Sequence, residues 1–311
     1  MDTLSQAYTV TFTVNACITD IPFIEKTLRS MLRSFNYPFH ERLVALDPGK
    51  PVGQYLDRQA GALDELKSIL KRLRVDGLID RVDEVPWDEG HYESLLRKYF
   101  SRDGIDLKDV KGAPIYQYLF ALNQCTGDYI FHVDSDMLFY CDSQRAWIDD
   151  AIEMMQANPS VVFASCKNGP PQAQNFLEGL LGHPLRSQSK KLWHKASTVS
   201  TRNFLLDRKR LENHMLPLLQ AKPTEPLENS FTHTLNVKGF ERRAMNAGSW
   251  AIHPLYHDEN FIQNLDDLIW AVENDVYPFK RTGKQWNMYT DEKNIKLWLA
   301  TIYAARLAMS Q

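Results

Sequence analysis

Short hydrophobic runs alternate with amphipathic stretches along most of this 311-residue chain. Runs rich in Val, Ile, Phe and Thr predict strands, and they occupy residues 8–14, 42–47, 78–82, 129–133, 161–165 and 204–206. Stretches with apolar residues at helical spacing predict helices, and they cover residues 21–35, 56–73, 112–125, 147–156, 208–219, 261–273 and 293–309. The alternation predicts an α/β protein in which helices flank a sheet.

Two polar segments interrupt this pattern. Residues 86–110 are polar and aromatic, which predicts a loop or a small helical insert above a ligand site. Residues 179–195 combine Gly, Pro, Ser and basic side chains, which is typical of a loop. The sequence shows no internal repeat, low-complexity segment or clear linker. We therefore expect a single domain over residues 1–311.

One hydrophobic run ends abruptly on two acidic residues. It covers residues 129–133 and is followed by Asp134 and Asp136. A buried strand here would deliver both carboxylates to its C-terminal edge, where open α/β sheets bind ligands. Such a pair suits Mg²⁺ or Mn²⁺, although acids at a strand end can also be solvated or cap a turn. The apolar residues 137–140 favour the metal site, because neither acid lies in an ordinary polar loop.

The first two predicted strands and the helix between them are arranged like the opening of a nucleotide-binding α/β unit. The second strand ends on Asp47, which is followed by Pro48 and Gly49. This aspartate marks the edge of the sheet at which a nucleotide would bind. An Asp before Pro-Gly is equally a good turn former, so the residue alone leaves both interpretations open.

The segment 127–136, Gly-Asp-Tyr-Ile-Phe-His-Val-Asp-Ser-Asp, resembles the Asp-x-Asp segment of nucleotide-sugar glycosyltransferases with the GT-A fold, most like family 2. The resemblance extends loosely over residues 8 to 260. It implies a Rossmann-like mixed sheet flanked by helices. It also implies a nucleotide-binding half at about 1–140, an acceptor half at about 141–260 and C-terminal helices over 261–311.

The resemblance implies a divalent cation, Mn²⁺ or Mg²⁺, bound against the donor diphosphate. Asp134 and Asp136 would hold this cation, and Asp134 would also contact the donor. A histidine after the last strand is often the third ligand in this family. His253, in an apolar stretch before a proline, fits that role best, and His257 is the alternative. An imidazole beside two carboxylates is chemically reasonable for Mn²⁺.

The resemblance assigns further roles, and the sequence departs from the family in two places. Asp47 would contact the nucleoside. The basic residue that often touches the phosphates is missing, so Gln117 is the expected donor contact and Lys111 a weaker one. Asn229 stands where the catalytic Asp is expected, which leaves Glu228 as the candidate base. Glu228 is also a helix N-terminal acid that the helix dipole would favour without any catalytic role.

Composition limits the class of protein. The formal charge of −3 argues against broad nucleic-acid binding. No apolar run is long enough to span a bilayer, so we expect a soluble cytoplasmic protein. The four cysteines lack Cys-x-x-Cys spacing, which predicts free thiols; they are Cys17, Cys125, Cys141 and Cys166. The C-terminal helices are expected to pack on the core or on a second copy in a homodimer.

Together these features predict a metal-dependent glycosyltransferase. It would move a sugar from a UDP- or GDP-linked donor to a hydroxyl or amine of a soluble small-molecule or saccharide acceptor. A non-catalytic nucleotide-binding scaffold of the same fold is the alternative, favoured by Asn229 and by the missing phosphate-binding residue. A nucleotidyltransferase is disfavoured, because residues 15–19 lack the glycine-rich basic loop expected after the first strand.

Overall fold

The computed structural model of the chain describes residues 8–58, 60–142, 147–171, 191–246, 248–279 and 287–310. The strands in these residues lie in two sheets. In chain order they are β1 (Val10–Cys17), β2 (Glu41–Asp47), β3 (Arg81–Glu84), β4 (Tyr129–Asp134), β5 (Leu138–Tyr140), β6 (Val161–Ser165), β7 (Lys167–Asn168), β8 (Trp193–Lys195), β9 (Asn203–Asp207), β10 (Glu241–Met245), β11 (Trp250–Pro254) and β12 (Asn287–Met288).

The larger sheet has eight strands in the order β3-β2-β1-β4-β9-β6-β10-β8. β1 pairs in parallel with both β2 and β4, so the carboxyl ends of these three strands lie at one edge of the sheet. β9 runs antiparallel between β4 and β6. β10 is parallel to β6, and β8 closes the edge in the antiparallel sense. The expected fold class, a mixed α/β sheet flanked by helices, is confirmed.

Helices cover both faces of this sheet. Those of the first half are α1 (Ile24–Phe35), α2 (Leu63–Val75), α3 (Glu89–Phe100), α4 (Tyr116–Gln124) and α5 (Trp147–Ala157). The later ones are Arg208–Arg210, Leu227–Lys238, Glu259–Gln263, Leu265–Glu273 and Glu292–Met309. α1, α2 and α5 pack into one apolar cluster, and α3, α4 and the helix Leu227–Lys238 pack into another. Because side chains alternate along a strand, β1 and β4 contribute to the core on both faces.

The second sheet has the order β12-β11-β5, with β7 paired to β11. It carries the C-terminal helices on an apolar cluster that includes Trp250, Phe261 and Trp298. The helix Glu292–Met309 thus packs on the core, as one of the two expected arrangements requires. A second copy of the chain as a further partner stays a prediction.

Some predicted elements have different bounds in the structure: the third strand, expected at 78–82, covers Arg81–Glu84. The helix expected from residue 56 begins at Leu63, because the chain is still extended at Ala62. The segment 86–110, expected to be a loop or a small helical insert, contains a helix, α3, whose first turn is capped by the side chain of Asp88. The helix expected over 208–219 ends at Met215 in a π-helical turn, because the residue before Pro217 is disfavoured in helical conformation. The loop predicted at 179–195 lies mainly outside the described residues.

Within the part of the chain that the structure describes, no helix combines the length and apolarity needed to cross a bilayer. All four cysteines are free thiols. Cys125 and Cys166 are buried, whereas Cys17 and Cys141 are partly exposed. Burial raises the pKa of each thiol above its ordinary range.

Candidate functional site

A cavity of about 840 Å³ opens at the carboxyl ends of β1, β2 and β4. Its walls come from both the predicted nucleotide-binding half and the segment after β11. The residues proposed from the sequence that line it are Asp47, Lys111, Gln117, Asp134, Asp136, His253 and His257. Glu228 is not among the described residues that line this cavity. The parallel register explains the convergence, because strand ends that lie far apart in sequence meet at one edge of the sheet.

Asp134 is the last residue of β4 and is held from behind by two side chains. The Tyr118 hydroxyl on α4 donates a short hydrogen bond to Asp134 Oδ1. The Nε2 atom of His132, which is fully buried, lies 3.4 Å from the same oxygen. The His132 ring in turn packs between Tyr118 and Phe204. Both contacts are made to the same oxygen, Oδ1, so Tyr118 and His132 hold this oxygen of the carboxylate in place.

Asp136 lies two residues further along and contacts a histidine. Its Oδ2 atom is 2.8 Å from His257 Nε2. The His257 ring packs between Phe23, at a centroid distance of 4.5 Å, and Phe261, at 6.0 Å. Burial alone would raise the pKa of Asp136, but the hydrogen bond and charge of His257 outweigh it and hold this pKa below its ordinary value. Asp136 is therefore ionised at neutral pH.

His253 has one ring nitrogen that is hydrogen-bonded and one that has no partner among the described residues. Its Nδ1 atom lies 2.6 Å from the carbonyl oxygen of Pro254, which makes Nδ1 the protonated nitrogen and leaves a lone pair on Nε2. Burial lowers the pKa of His253, so the ring is neutral. The buried His253 Nε2 and the buried Asp136 Oδ1 have no hydrogen-bond partner among the described residues.

These unpaired atoms are an imidazole nitrogen and a carboxylate oxygen, which are ligands that Mn²⁺ accepts. Across the described residues, no three His, Cys, Asp or Glu side chains already surround one point closely enough to hold a metal ion. The donor set of Asp134, Asp136 and His253 nevertheless fits a divalent cation, because buried polar atoms without partners are otherwise costly.

Asp47 ends β2, two strands away from β4 in the sheet, and is 4% exposed. Its Oδ1 atom accepts hydrogen bonds from the Gly49 backbone nitrogen at 2.7 Å and from Trp87 Nε1 at 2.9 Å. A Cβ atom on Gly49 would lie 2.8 Å from this oxygen, so a side chain at residue 49 would displace the Asp47 carboxylate. Asp47 is thus both a turn former and a cavity residue, and the two interpretations left open by the sequence are compatible.

Gln117 and Glu228 have partners that the sequence did not predict. The side-chain nitrogen of Gln117 donates to the carbonyl oxygens of Ala16 and Ala45, at 3.1 and 3.0 Å. It therefore links β1 to β2 rather than reaching into the cavity with its amide hydrogens. Glu228 Oε1 accepts a hydrogen bond from the Thr201 hydroxyl at 2.9 Å.

The sequence did not predict several of the residues that line the cavity. Arg58 and Arg202 line the cavity, and their positive charges act on Asp136 and His253, respectively. They come from loops without a recognisable motif, so the sequence offered no signal for them. Asn15 also lines the cavity, between Ala45 and Asp134 in the parallel register. It directly follows the strand predicted over residues 8–14, so its position at that strand end could have indicated it.

Two loops form one wall of the cavity. The Gln54 backbone nitrogen donates to the Lys111 carbonyl oxygen at 3.0 Å. Gly53 and Gly112 both have positive φ angles, +60° and +89°, which residues other than glycine rarely adopt. A Cβ atom on Gly53 would lie 2.3 Å from the Lys111 carbonyl oxygen. The glycines therefore permit the close contact that places Lys111 beside the cavity.

No family model matches the chain, and no curated protein is similar to it in sequence. Solved structures that resemble it include TarS from S. aureus, with 13% identity, a TM-score of 0.43 and coverage of 84% of this chain and 39% of that chain. GalNAc-T7 with UDP, GalNAc and Mn²⁺ has 10% identity, a TM-score of 0.47 and coverage of 80% and 44%. The mannosyltransferase PcManGT from Pyrobaculum calidifontis, in complex with GDP-Man and Mn²⁺, has 15% identity, a TM-score of 0.47 and coverage of 97% and 75%.

The chain therefore spans less than half of the TarS and GalNAc-T7 chains. Identities and TM-scores this low do not indicate the activity of this chain.

Proposed function

We propose that the chain is a metal-dependent glycosyltransferase of the GT-A type, which transfers a sugar from a UDP- or GDP-linked donor to a hydroxyl or amine of an acceptor. One observation carries the proposal. A single cavity unites an acidic pair at the end of β4, a neutral histidine whose Nε2 atom has no partner among the described residues, and a separate aspartate at the end of β2, two strands away. Nucleotide sugars need this combination, because their diphosphate binds a cation while their base binds elsewhere.

In this proposal Asp134, Asp136 and His253, which all line the cavity, would hold Mn²⁺ or Mg²⁺. The bound cation would neutralise the charge that develops on the departing nucleoside diphosphate. Tyr118 and His257 hold the two carboxylates from behind, so that each presents its remaining oxygen atom. Such support from neighbouring side chains fixes ligand geometry and tunes affinity.

The donor would lie across the carboxyl ends of β1 and β2. Asp47 uses Oδ1 to accept from Gly49 and Trp87, and its other oxygen would accept a hydrogen bond from the nucleoside. Arg58 and Lys111, which line the same cavity, would neutralise the diphosphate in place of the basic residue that the helix lacks. The protein thereby holds the sugar close to the acceptor, and proximity supplies much of the rate enhancement.

The test is thermal stability of the purified protein with UDP, GDP, CDP, ADP and dTDP, each with and without Mn²⁺. A ligand at 100 times its Kd adds about 2.7 kcal/mol to the free energy of unfolding. We expect a clear rise of Tm for one nucleotide only when Mn²⁺ is present. The absence of any shift with all ten combinations would refute the proposal.

A non-catalytic nucleotide-binding protein is the second candidate. The observation that favours it is Asn229, an amide in the first turn of the helix Leu227–Lys238 where a catalytic carboxylate is expected. A donor-hydrolysis assay with the sugar form of the preferred nucleotide separates the two. Release of the sugar supports the transferase, whereas binding without cleavage supports the second candidate.

A further inference from the structure

Arg202 reaches the cavity on the side away from the proposed donor. It directly precedes β9, which begins where β4 ends and lies on the opposite side of β4 from β1 and β2. Arg202 is exposed and lines the cavity, and its carbonyl oxygen accepts a hydrogen bond from the Asp134 backbone nitrogen at 2.8 Å. A donor that lies across β1 and β2 would therefore leave Arg202 on the acceptor side of the cation.

The positive charges that line the cavity divide between these two sides. Within the described parts of the chain, four of them come from the loops beside the proposed donor, namely Lys50, Arg58, Lys108 and Lys111. Arg202 is the one lysine or arginine that the predicted acceptor half contributes to the same lining residues. The diphosphate of the donor thus has cations on its own side, so its charge does not require Arg202.

A buried arginine holds the segment that carries Arg202. Arg242 is 3% exposed, and its guanidinium group donates hydrogen bonds to the Thr198 carbonyl oxygen and, at 2.9 Å, to the Ser165 hydroxyl. Burying a guanidinium group is costly unless it is paired, yet no carboxylate among the described residues acts on Arg242. The buried group therefore serves to hold the chain at Thr198, four residues before Arg202.

Two further hydrogen bonds hold the same segment. The Val199 backbone nitrogen donates to the Thr232 hydroxyl at 2.9 Å, and the Thr201 hydroxyl donates to Glu228 Oε1 at 2.9 Å. Both partners lie on the helix Leu227–Lys238. The backbone beside the exposed arginine is thereby fixed in advance, which lowers the entropy that is lost when a ligand binds there.

We propose that Arg202 is a specificity-determining residue that binds an anionic group, a carboxylate or a phosphate, on the acceptor. A planar guanidinium group binds either anion with two parallel hydrogen bonds. The inference rests on the proposed function, because the positions of the donor and the cation define the acceptor side. It narrows the acceptor to molecules that carry a negative charge near the hydroxyl or amine that receives the sugar.

The experiment measures how a simple anion binds to the protein that already holds Mn²⁺ and its preferred nucleotide. Sulfate stands for a phosphate group and acetate for a carboxylate, and each is titrated by calorimetry at constant ionic strength. We expect the parent to bind at least one of them. Arg202→Met should weaken that binding at least about 10-fold, because it removes hydrogen bonds to a charged group. Arg202→Lys keeps the charge but not the planar fork, so its affinity should lie between the two.

Arg102→Met is the matched control. Arg102 is also exposed and donates to the Gln220 carbonyl oxygen, and it is not among the residues that line the cavity, so this variant should bind the anion like the parent. Thr232→Val removes the acceptor of the Val199 hydrogen bond and should weaken anion binding by a smaller factor, whereas Thr232→Ser should bind like the parent. The Tm of each variant without ligand shows whether it has folded.

The possible results separate the inference from the proposed function. If Arg202→Met binds the anion as tightly as the parent, or if the parent binds neither anion, the inference is wrong while the cation site stands. If Arg202→Met weakens binding of Mn²⁺ and nucleotide instead, the guanidinium group serves the donor and the acceptor assignment is wrong. Parent-like anion binding by Thr232→Val would contradict the role of the anchored segment. If no nucleotide binds with Mn²⁺, the proposed function fails and the inference fails with it.

Discussion

Replacing Gln117 by leucine is expected to lower the free energy of unfolding by about 2 kcal/mol while leaving nucleotide binding in place. Gln117 is 4% exposed, and its side-chain nitrogen donates to the carbonyl oxygens of Ala16 and Ala45. Each such hydrogen bond contributes roughly 1 kcal/mol net. Leucine has a similar volume, so loss of these two bonds dominates the change.

Urea unfolding measures this effect directly, and Tm should fall by about 3 °C for a chain of this length. The control is Gln124→Leu, which lies on the same helix and is more exposed. The resemblance to glycosyltransferases instead assigns Gln117 to the donor. If Gln117→Leu unfolds like the control but no longer binds nucleotide, the side chain serves the donor and its role as a link between β1 and β2 is wrong.

Three further changes test the site. Asp136→Ala should abolish the Mn²⁺-dependent rise of Tm with nucleotide, and His253→Ala should weaken it; parent-like shifts in both would contradict the ligand set. Burial raises the pKa of Asp20 from 3.8 to about 6, so its ionisation destabilises the fold as pH rises through this window, by roughly 3 kcal/mol at pH 7. Asp20→Asn should therefore be more stable than the parent at pH 7 and equal to it near pH 4, and equal gains at both pH values in urea unfolding would count against this assignment. Gly49→Ala should weaken nucleotide binding in calorimetric titration by displacing Asp47, and unchanged affinity would separate that turn from the donor site.

The sequence predicted the parts of the fold in which hydrophobic pattern and burial coincide. β1, β2, β4 and β6 were found within a few residues, because these central strands are largely buried on both faces. The predicted boundaries of helices were wrong where the local backbone conformation determines the residue at which a helix begins. α2 begins only at Leu63, after Ala62 in extended conformation, and α3 depends on a cap from Asp88 within a stretch of low apolar content.

The residues of the candidate site likewise fall into those that the sequence predicted and those that it did not. The carboxylates and His253 were predicted because they lie at or near strand ends, and the parallel register brings strand ends together. Glu228 was placed by analogy with a motif, and its actual contact with Thr201 depends on how a helix packs on the sheet. Arg58 and Tyr118 reach the cavity from a loop and a helix, where no periodicity in the sequence indicates which side chain points inward.

The antiparallel strand β9 has a consequence for protein engineering. It belongs to the predicted acceptor half, yet it pairs with β4 of the nucleotide-binding half over five registered positions, from Tyr129 opposite Asp207 to Val133 opposite Asn203. Exchange of residues 141–260 as a module would therefore replace the strand that borders the acidic pair. A chimera built to change acceptor preference should retain β9 together with β4 and graft only the segments around it.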